Sequence, residues 1–258
     1  MNLQKVGVLA LATVLILLVF GFAAGMSSTF IDQQINHVRV KEAFNEKEID
    51  LRTKLAMRGV DHSNFEIFVR IFKMEEVVEV WARTRGTKTF TQIENYPFCT
   101  SIGTVGPKRE QGDKQIPEGF YNVSQFNPTS DFHLSLQVSY PNKSDSILGS
   151  KNNLGGLIFI HGGCVTIGCV PITNDKIKAL YVLSVLAKDN GQANIPIHIY
   201  PTRLNYANFK LLSELPDKEH LVDFWQNLKT CYTWFEEHGS LPYIGVGNEG
   251  EYLYYYPN

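Results

Sequence analysis

The chain has 258 residues, of which 44% are hydrophobic and 12% aromatic. It can therefore bury a sizeable core, which argues against a disordered chain and allows one domain with appended segments. Charged residues make up 19% of the chain and the formal net charge is -2, so there is no large basic excess of the kind that neutralises many phosphates. We expect no nucleic acid partner.

A long apolar run lies close to the N-terminus, where Lys5 is followed by residues 6–25 without a single charge. A helix needs about 20 such residues to cross a bilayer, whereas the apolar part of a signal peptide usually has about 7 to 15. We therefore predict a helical membrane anchor over residues 1–26. The small residues Ala23, Ala24 and Gly25 leave a cleaved signal segment as the alternative. Both alternatives export the rest of the chain.

Residues 27–63 are predicted to form a helical stalk or linker. They are polar and rich in helix formers, their apolar residues are widely spaced, and Gly59 is a stop signal. Two arrangements remain open. The helix either carries the following domain away from the membrane or packs against that domain.

A strand-like pattern begins at Asn64. Three segments, FEIFVRIFK, EEVVEVWART and TKTFTQIENYPFC, are rich in β-branched and aromatic residues and are separated by short polar breaks, which indicates hairpins. A loop rich in glycine and proline follows at residues 101–121, and loops of that length are usually functional. Strands resume with YNVSQF, HLSLQVSY and LGGLIFIHG.

Two helices are predicted in the C-terminal part. Thr173 is a good N-cap for the first, which ends at Gly191. Asp217 is the predicted cap of the second, whose apolar residues recur at helical spacing up to Gly239. Cys231 lies beside that apolar stripe, so we expect it to be a buried, structural cysteine.

The segment PIHIYPT between these helices is predicted to be a strand, and YLYYYPN at the C-terminus a last edge strand. We find no internal repeat and no second domain. The predicted fold class is therefore mostly β with peripheral helices, as one domain over residues 64–258, behind an N-terminal helical membrane anchor.

The stretch HGGCVTIGC, residues 161–169, follows a hydrophobic strand and suits three chemistries. His161, Cys164 and Cys169 could ligate zinc, although their spacing is unlike the common C-x2-C pairs. Cys164 and Cys169 could instead form a disulfide after export. In the third hypothesis Cys169 is a thiol nucleophile and His161 its base.

The thiol hypothesis is the one that the residues favour. A nearby histidine accepts the thiol proton and stabilises the thiolate, which is the species that attacks a carbonyl carbon. Gly168, just before Cys169, lets the backbone and a substrate approach closely. Backbone N–H groups around such a nucleophile can then face the oxyanion that forms on attack.

The stretch IHGGCVTIGCVPIT resembles the active-site motif of L,D-transpeptidases of the YkuD type, and more closely that of their YafK-like branch. The likeness extends, in the same order, to FVRIFK and EVWART (68–84), SIGTVGPKREQGDKQIPEGFY (101–121), YPNKSD (140–145) and GQANIPIHIYPTRL (191–204). It covers most of the chain from about residue 64 onward. The resemblance implies a YkuD-like catalytic β-domain.

The resemblance places the nucleophile at Cys169 and the base at His161. It gives Gly162 the role of orienting the histidine through its backbone. It also places Gly168 and Cys169 at the position that contacts the oxyanion. Two positions depart from the wider family, which has a histidine at Ile167 and an arginine at Pro171. The second departure removes a positive charge expected near the substrate.

The resemblance also suggests five residues for substrate binding. Arg203 and Lys108 could replace the missing charge, PEGFY resembles the start of a strand beside the groove, and the YPNKSD segment could line that groove. The candidates are Arg203, Lys108, Pro117, Gly119 and Asn142. Cys164 is interpreted as structural, with a bond to Cys99 as one of the pairings that stay open, and His133 as a scaffold histidine.

The resemblance implies acyl transfer on peptidoglycan in the bacterial envelope. A thiolate would attack the diaminopimelate carbonyl of a stem peptide and form a thioester, with no metal and no organic cofactor. An amine acceptor then gives transpeptidation, whereas water gives amidase activity that releases a peptide or a peptidoglycan-linked lipoprotein. A membrane-anchored wall-binding protein without catalysis is the third alternative. The expected partners are stem peptides, that lipoprotein, and the membrane through residues 6–25.

Overall fold

The structure of the protein is a computed structural model that describes residues 28–257. The predicted anchor over residues 1–26 lies outside this range and remains a prediction. Between residues 28 and 257, no helix combines the length and apolar character needed to span a bilayer.

The centre of the fold is an eight-stranded sheet with the order β3-β2-β1-β8-β4-β5-β6-β7. Its strands are β1 (Phe65–Phe72), β2 (Val77–Thr84), β3 (Thr91–Pro97), β4 (Gly119–Asn127), β5 (Ser135–Val138), β6 (Phe159–His161), β7 (Val170–Pro171) and β8 (Pro196–Tyr200). β1, β2 and β3 form the predicted antiparallel hairpins. β9 (Tyr243–Val246) and β10 (Tyr252–Tyr255) form a separate hairpin, so the predicted C-terminal strand is paired with a strand that the sequence did not indicate.

Helices cover both faces of the sheet. The described helices are α1 (Phe30–Ile35), α2 (Val38–Met57), α3 (Lys143–Leu148), α4 (Asn174–Asp189), α5 (Tyr206–Ser213) and α6 (Val222–His238). Alternating strand residues turn to opposite sides, so Ile71 and Ile199 pack with α4, whereas Phe72 and Tyr200 pack with α6. The predicted mostly β fold with peripheral helices is confirmed, although α3 and α5 were not predicted.

The segment before the sheet packs against the domain. Val40, Ala43, Leu51 and Leu55 of α2 are buried in the same core as α4. An ion pair between Lys178 and Glu46, with an N–O distance of 2.7 Å, also joins the two helices. Of the two predicted arrangements, residues 30–57 therefore adopt the one that packs against the domain, and they do not form a free-standing stalk. Their apolar residues are widely spaced in the sequence but turn to one side. The division of the chain at residues 26 and 63 remains a prediction.

The two predicted helix starts have different outcomes. Thr173 caps α4, and its side chain accepts a hydrogen bond from the N–H of Lys176. Asp217 does not cap α6, which begins at Val222 after a 3₁₀ turn. The φ of Asp217 is 62°, a left-handed value, whereas an N-cap needs extended backbone. The predicted end at Gly239 is confirmed.

Candidate active site

The connection between β6 and β7 holds the HGGCVTIGC stretch. The two strands are parallel, with Ile160 opposite Val170, and both of these side chains are buried in the core. His161 follows Ile160, and Cys169 precedes Val170. Because successive strand residues face opposite ways, His161 and Cys169 both turn to the face of the sheet that lies away from α4.

His161 and Cys169 line the same cavity, which has a volume of about 140 Å³. The ring of Phe132 lies 4.7 Å from the imidazole of His161, centroid to centroid, and forms one wall. Polar side chains from neighbouring strands, Asn127 and Ser135, complete the lining. The structure thus brings together the two residues that sequence reasoning paired.

The imidazole of His161 is held by its neighbour. Its Nδ1 lies 2.6 Å from the carbonyl oxygen of Gly162, and since a carbonyl only accepts, we infer that Nδ1 carries the proton and Nε2 the lone pair. Burial lowers the pKa of His161. A side chain at Gly162 would collide with the carbonyl oxygen of Phe132 and the amide of Asn174. The imidazole is therefore neutral at neutral pH, with a nitrogen able to accept a proton.

The thiol of Cys169 is protonated in the resting state. Its Sγ lies 3.6 Å from the carbonyl oxygen of Leu157, to which it donates. Burial raises the pKa of Cys169, and the positive charge of Lys108 opposes that shift. A neutral thiol and a neutral imidazole that line one cavity have the protonation states needed for proton transfer from the thiol to the imidazole.

The four cysteines fall into three environments. Cys99 and Cys164 form a disulfide, with their Cα atoms 5.4 Å apart. Cys169 is free and half-buried, and Cys231 is free and fully buried, as predicted. Within residues 28–257, no group of three or more His, Cys, Asp or Glu side chains could hold a metal ion.

The Thr166 hydroxyl contacts the two N–H groups that the sequence predicts to meet an oxyanion. The N–H groups of Gly168 and Cys169 both donate to its hydroxyl oxygen, at N–O distances of 3.1 and 2.9 Å. The hydroxyl in turn donates to the carbonyl oxygen of Cys169 at 2.9 Å. Sequence reasoning missed this residue, although a threonine two or three positions before an N–H group often makes such a turn.

Gly168 is closely packed against the 101–118 loop. Its φ is 128°, and a Cβ there would lie 3.1 Å from the carbonyl oxygen of Gln115. Glu118 anchors the end of the same loop, because its carboxylate accepts hydrogen bonds from Lys73 at 3.0 Å and Trp225 at 2.8 Å. The fully buried Glu118 was not singled out from the sequence. The loop thus packs closely against the backbone just before Cys169.

Of the two cations expected near the substrate, Lys108 is the one whose charge opposes the raised pKa of Cys169. Its side chain is buried and donates to Asp113 at 2.7 Å, and its charge reaches Cys169. Arg203 pairs with Glu79 at 2.5 Å and stacks on Phe72. Arg203 does not line the cavity of His161 and Cys169.

The other three substrate-binding candidates also lie outside that cavity. Pro117 is buried, and Gly119 begins β4 against the hydroxyl groups of two tyrosines. Asn142 caps α3 by accepting from the N–H of Asp145 at 2.9 Å, and it donates to the carbonyl oxygen of Phe120. Pro117 and Gly119 thus contact the scaffold, whereas Asn142 also lines a larger cavity of the structure.

Comparison with known proteins places this cavity inside a recognised catalytic domain. The family model for the YkuD L,D-transpeptidase catalytic domain matches residues 69–199, which include His161 and Cys169. The chain belongs to the YkuD L,D-transpeptidase family. Two relatives, both named for this family as YafK, come from Escherichia coli strains K12 and O157:H7. Each is 32% identical over 189 residues, covering 72% of this chain and 73% of the relative.

Two solved structures are similar to part of this chain. The helical cell shape determining protein Pgp2 of Campylobacter jejuni has a TM-score of 0.42 at 16% identity, over 72% of this chain and 74% of Pgp2. Bd1075 of Bdellovibrio bacteriovorus has a TM-score of 0.39 at 20% identity, over 71% of this chain and 77% of Bd1075. Both likenesses are too distant to bear on mechanism or substrate.

Proposed function

We propose that this YkuD-family protein is a cysteine-dependent L,D-transpeptidase that acts on peptidoglycan stem peptides. The observation that carries the proposal is the shared cavity of a free thiol, Cys169, and a neutral imidazole, His161. The disulfide between Cys99 and Cys164 supports an oxidising compartment such as the periplasm. Anchoring through residues 6–25 is part of the proposal.

The first half-reaction forms a thioester. His161 Nε2 accepts the proton of the Cys169 thiol, and the thiolate attacks the carbonyl carbon on the L-centre of diaminopimelate. The Gly162 carbonyl holds the imidazole by accepting from Nδ1 and stabilises the positive charge that develops on the ring. When the C–N bond breaks, the imidazolium returns its proton to the leaving amine. Lys108 favours the thiolate through its positive charge.

Gly168 and Cys169 are proposed to hold the tetrahedral oxyanion through their backbone N–H groups. Both groups donate to the Thr166 hydroxyl in the resting structure. The hydroxyl therefore has to give way when the oxyanion forms. A charged oxyanion is the stronger acceptor of the two, so the exchange is favourable once attack has begun.

Hydrolysis of the same thioester is the second candidate function, which would make the protein an amidase that releases a peptide or a peptidoglycan-linked lipoprotein. It is favoured by the polar lining of the cavity, where Asn127, Asp131 and Ser135 can hold a water molecule beside the thioester. Transfer instead requires the acceptor amine to exclude that water. We place transfer first because it is the activity for which the family is named.

The test of the proposal is direct detection of the thioester. We would incubate the full-length chain with disaccharide tetrapeptides and measure the intact mass. An adduct on Cys169 that survives in Cys231→Ala and disappears in Cys169→Ala supports the enzyme. If Cys169 gives no adduct and reacts with iodoacetamide no faster than Cys231, the protein is instead a wall-binding protein without catalysis.

A second measurement separates transfer from hydrolysis. Dimeric muropeptides formed from disaccharide tetrapeptides indicate transfer. Release of free lipoprotein from lipoprotein-linked muropeptides indicates hydrolysis. Both reactions depend on Cys169, so the Cys169→Ala chain is the control for each.

A further inference from the structure

A second, larger cavity lies on the sheet, apart from the one that holds Cys169. It has a volume of about 580 Å³ and is enclosed by the start of β4, the start of β8 and the β9–β10 hairpin. Phe120 and His198 are paired across β4 and β8 and both line it. The proposed chemistry uses none of these residues.

The two cavities open on the same face of the sheet. On β4, Tyr121 and Phe126 turn towards the α4 core, so Phe120 and Asn122 at one end and Asn127 at the other turn away from it. A register shift between Val123 and Gln125 keeps this arrangement along the strand. Asn122 lines the large cavity and Asn127 lines the cavity of Cys169. β4 therefore connects them.

The large cavity offers aromatic surface together with unused amides. Tyr243 has 74% of its surface exposed, whereas Phe120, which also lines the cavity, is 9% exposed. The side-chain amides of Asn122 and Asn194 make no hydrogen bond within residues 28–257. Aromatic rings pack against the apolar faces of sugars, and amides bind hydroxyl and acetamido groups by donating and accepting at once. This combination suits an N-acetylated saccharide.

The spacing of the cavities fits a substrate that has a sugar at one end. Asn127 lies five positions after Asn122 in β4, which corresponds to at most roughly 16 Å at about 3.3 Å per residue. From its sugar to the diaminopimelate carbonyl, a stem peptide runs through a lactyl group, two residues and diaminopimelate itself, which is also on the order of 15 Å when extended. Gln125 and Gln137 face each other across β4 and β5 between the cavities and can bond the peptide on its way.

We propose that the large cavity is a saccharide subsite that binds the N-acetylated disaccharide carrying the stem peptide, while the diaminopimelate carbonyl lies at Cys169. This inference rests on the proposed function and names the part of the substrate that the cavity takes. The sugar would add binding energy at a distance from the reacting carbonyl, so it would raise the specificity for glycan-linked donors over free peptides.

The experiment compares two donors in the full-length chain. One is a free tetrapeptide, and the other is the same tetrapeptide on its disaccharide. The variants are the double variant Tyr243→Ala/Asn194→Ala and the control Tyr255→Ala. Tyr255 lies on the same hairpin and is 59% exposed, but it does not line the cavity. All three substituted positions are exposed, so the fold should not be affected.

We expect the wild-type chain to form the thioester with the glycan-linked donor at a kcat/KM at least about tenfold above that for the free peptide. The double variant should lose this preference and keep its rate on the free peptide, and Tyr255→Ala should behave as wild type. Equal rates for both donors in the wild type, or an unchanged preference in the double variant, would overturn the subsite while leaving the proposed function intact.

A binding measurement decides the subsite even if neither donor acylates Cys169 and the proposed function fails. The peptide-free disaccharide is titrated into the Cys169→Ala chain with and without the two cavity substitutions. Binding that weakens at least about tenfold on substitution supports the subsite. No binding, or binding that the substitutions leave unchanged, overturns it.

Discussion

The carbonyl oxygen of Gly162 lies 2.6 Å from Nδ1 of His161, the residue that precedes it in the chain. This contact assigns the proton to Nδ1 and leaves Nε2 as the acceptor. It also opposes the effect of burial on the imidazole, although burial is the larger influence and the pKa of His161 is lowered. The imidazole is therefore neutral at neutral pH, as the proposed base has to be, and a backbone carbonyl holds it in place.

The lowered pKa of His161 sets the acid limb of the pH profile. The imidazole must be neutral to accept the thiol proton, so kcat/KM should rise with pH through the pKa of His161. That limb is expected below 6.5, the ordinary value for histidine. Because burial raises the pKa of Cys169, we expect ionisation of the thiol to cause no change in kcat/KM near neutral pH. Measuring kcat/KM between about pH 4 and 9 checks this, and an acid limb above 6.5 would contradict it.

Cys164→Ala is expected to affect stability and to leave the chemistry in place. The Cys99–Cys164 disulfide closes a loop with a sequence separation of 65 residues, and loss of such a bond typically costs about 2 to 4 kcal/mol. Thermal unfolding without reductant should show the loss, and thioester formation should persist below the unfolding temperature. The double variant Cys99→Ala/Cys164→Ala controls for the unpaired thiol. A stable but inactive Cys164→Ala chain would assign that thiol a role in catalysis.

Lys108→Met and Arg203→Met should separate the two cations. Lys108 favours the thiolate of Cys169, so its replacement should raise the pKa of the thiol and slow alkylation by iodoacetamide at pH 8 severalfold. Arg203 pairs with Glu79, which is buried, so its replacement should lower the free energy of unfolding by about 1 to 3 kcal/mol and leave alkylation unchanged. Slower alkylation in Arg203→Met alone would reverse the assignment.

Thr166→Val tests the proposed exchange at the oxyanion site. The substitution keeps the shape but removes the acceptor of the Gly168 and Cys169 N–H groups. We expect a loss of about 1 to 3 kcal/mol in the free energy of unfolding, measured in denaturant. Thioester formation should be retained or faster, because the oxyanion no longer competes with the hydroxyl. A tenfold slower reaction in a folded Thr166→Val chain would show that the hydroxyl assists the chemistry.

Much of the framework could be predicted from local patterns. β1 and β2 are dense in β-branched and aromatic residues, and α4 has both a capping threonine and a long apolar run. β7 could not be predicted, because Val170–Pro171 is too short to show the alternation of apolar and polar residues that marks a strand. Its parallel pairing with β6 is nevertheless what places Cys169 on the same face as His161.

The roles of polar residues were harder to predict, since they depend on distant partners. Nothing near Arg203 in the chain reveals that Glu79 neutralises it, or that Glu118 bonds Lys73 and Trp225. The identity of Asp217 suits an N-cap, but its backbone conformation is set by the turn in which it lies. The motif therefore indicated the reacting pair, and tertiary structure was needed for the residues around it.

The docking of α1 and α2 on α4 bears on how far the enzyme can reach. α1 begins at Phe30, so only a handful of residues would separate the docked helix from a span ending near Gly25. If residues 6–25 span the membrane as proposed, this short connection would keep the domain within about one domain diameter of the lipid headgroups.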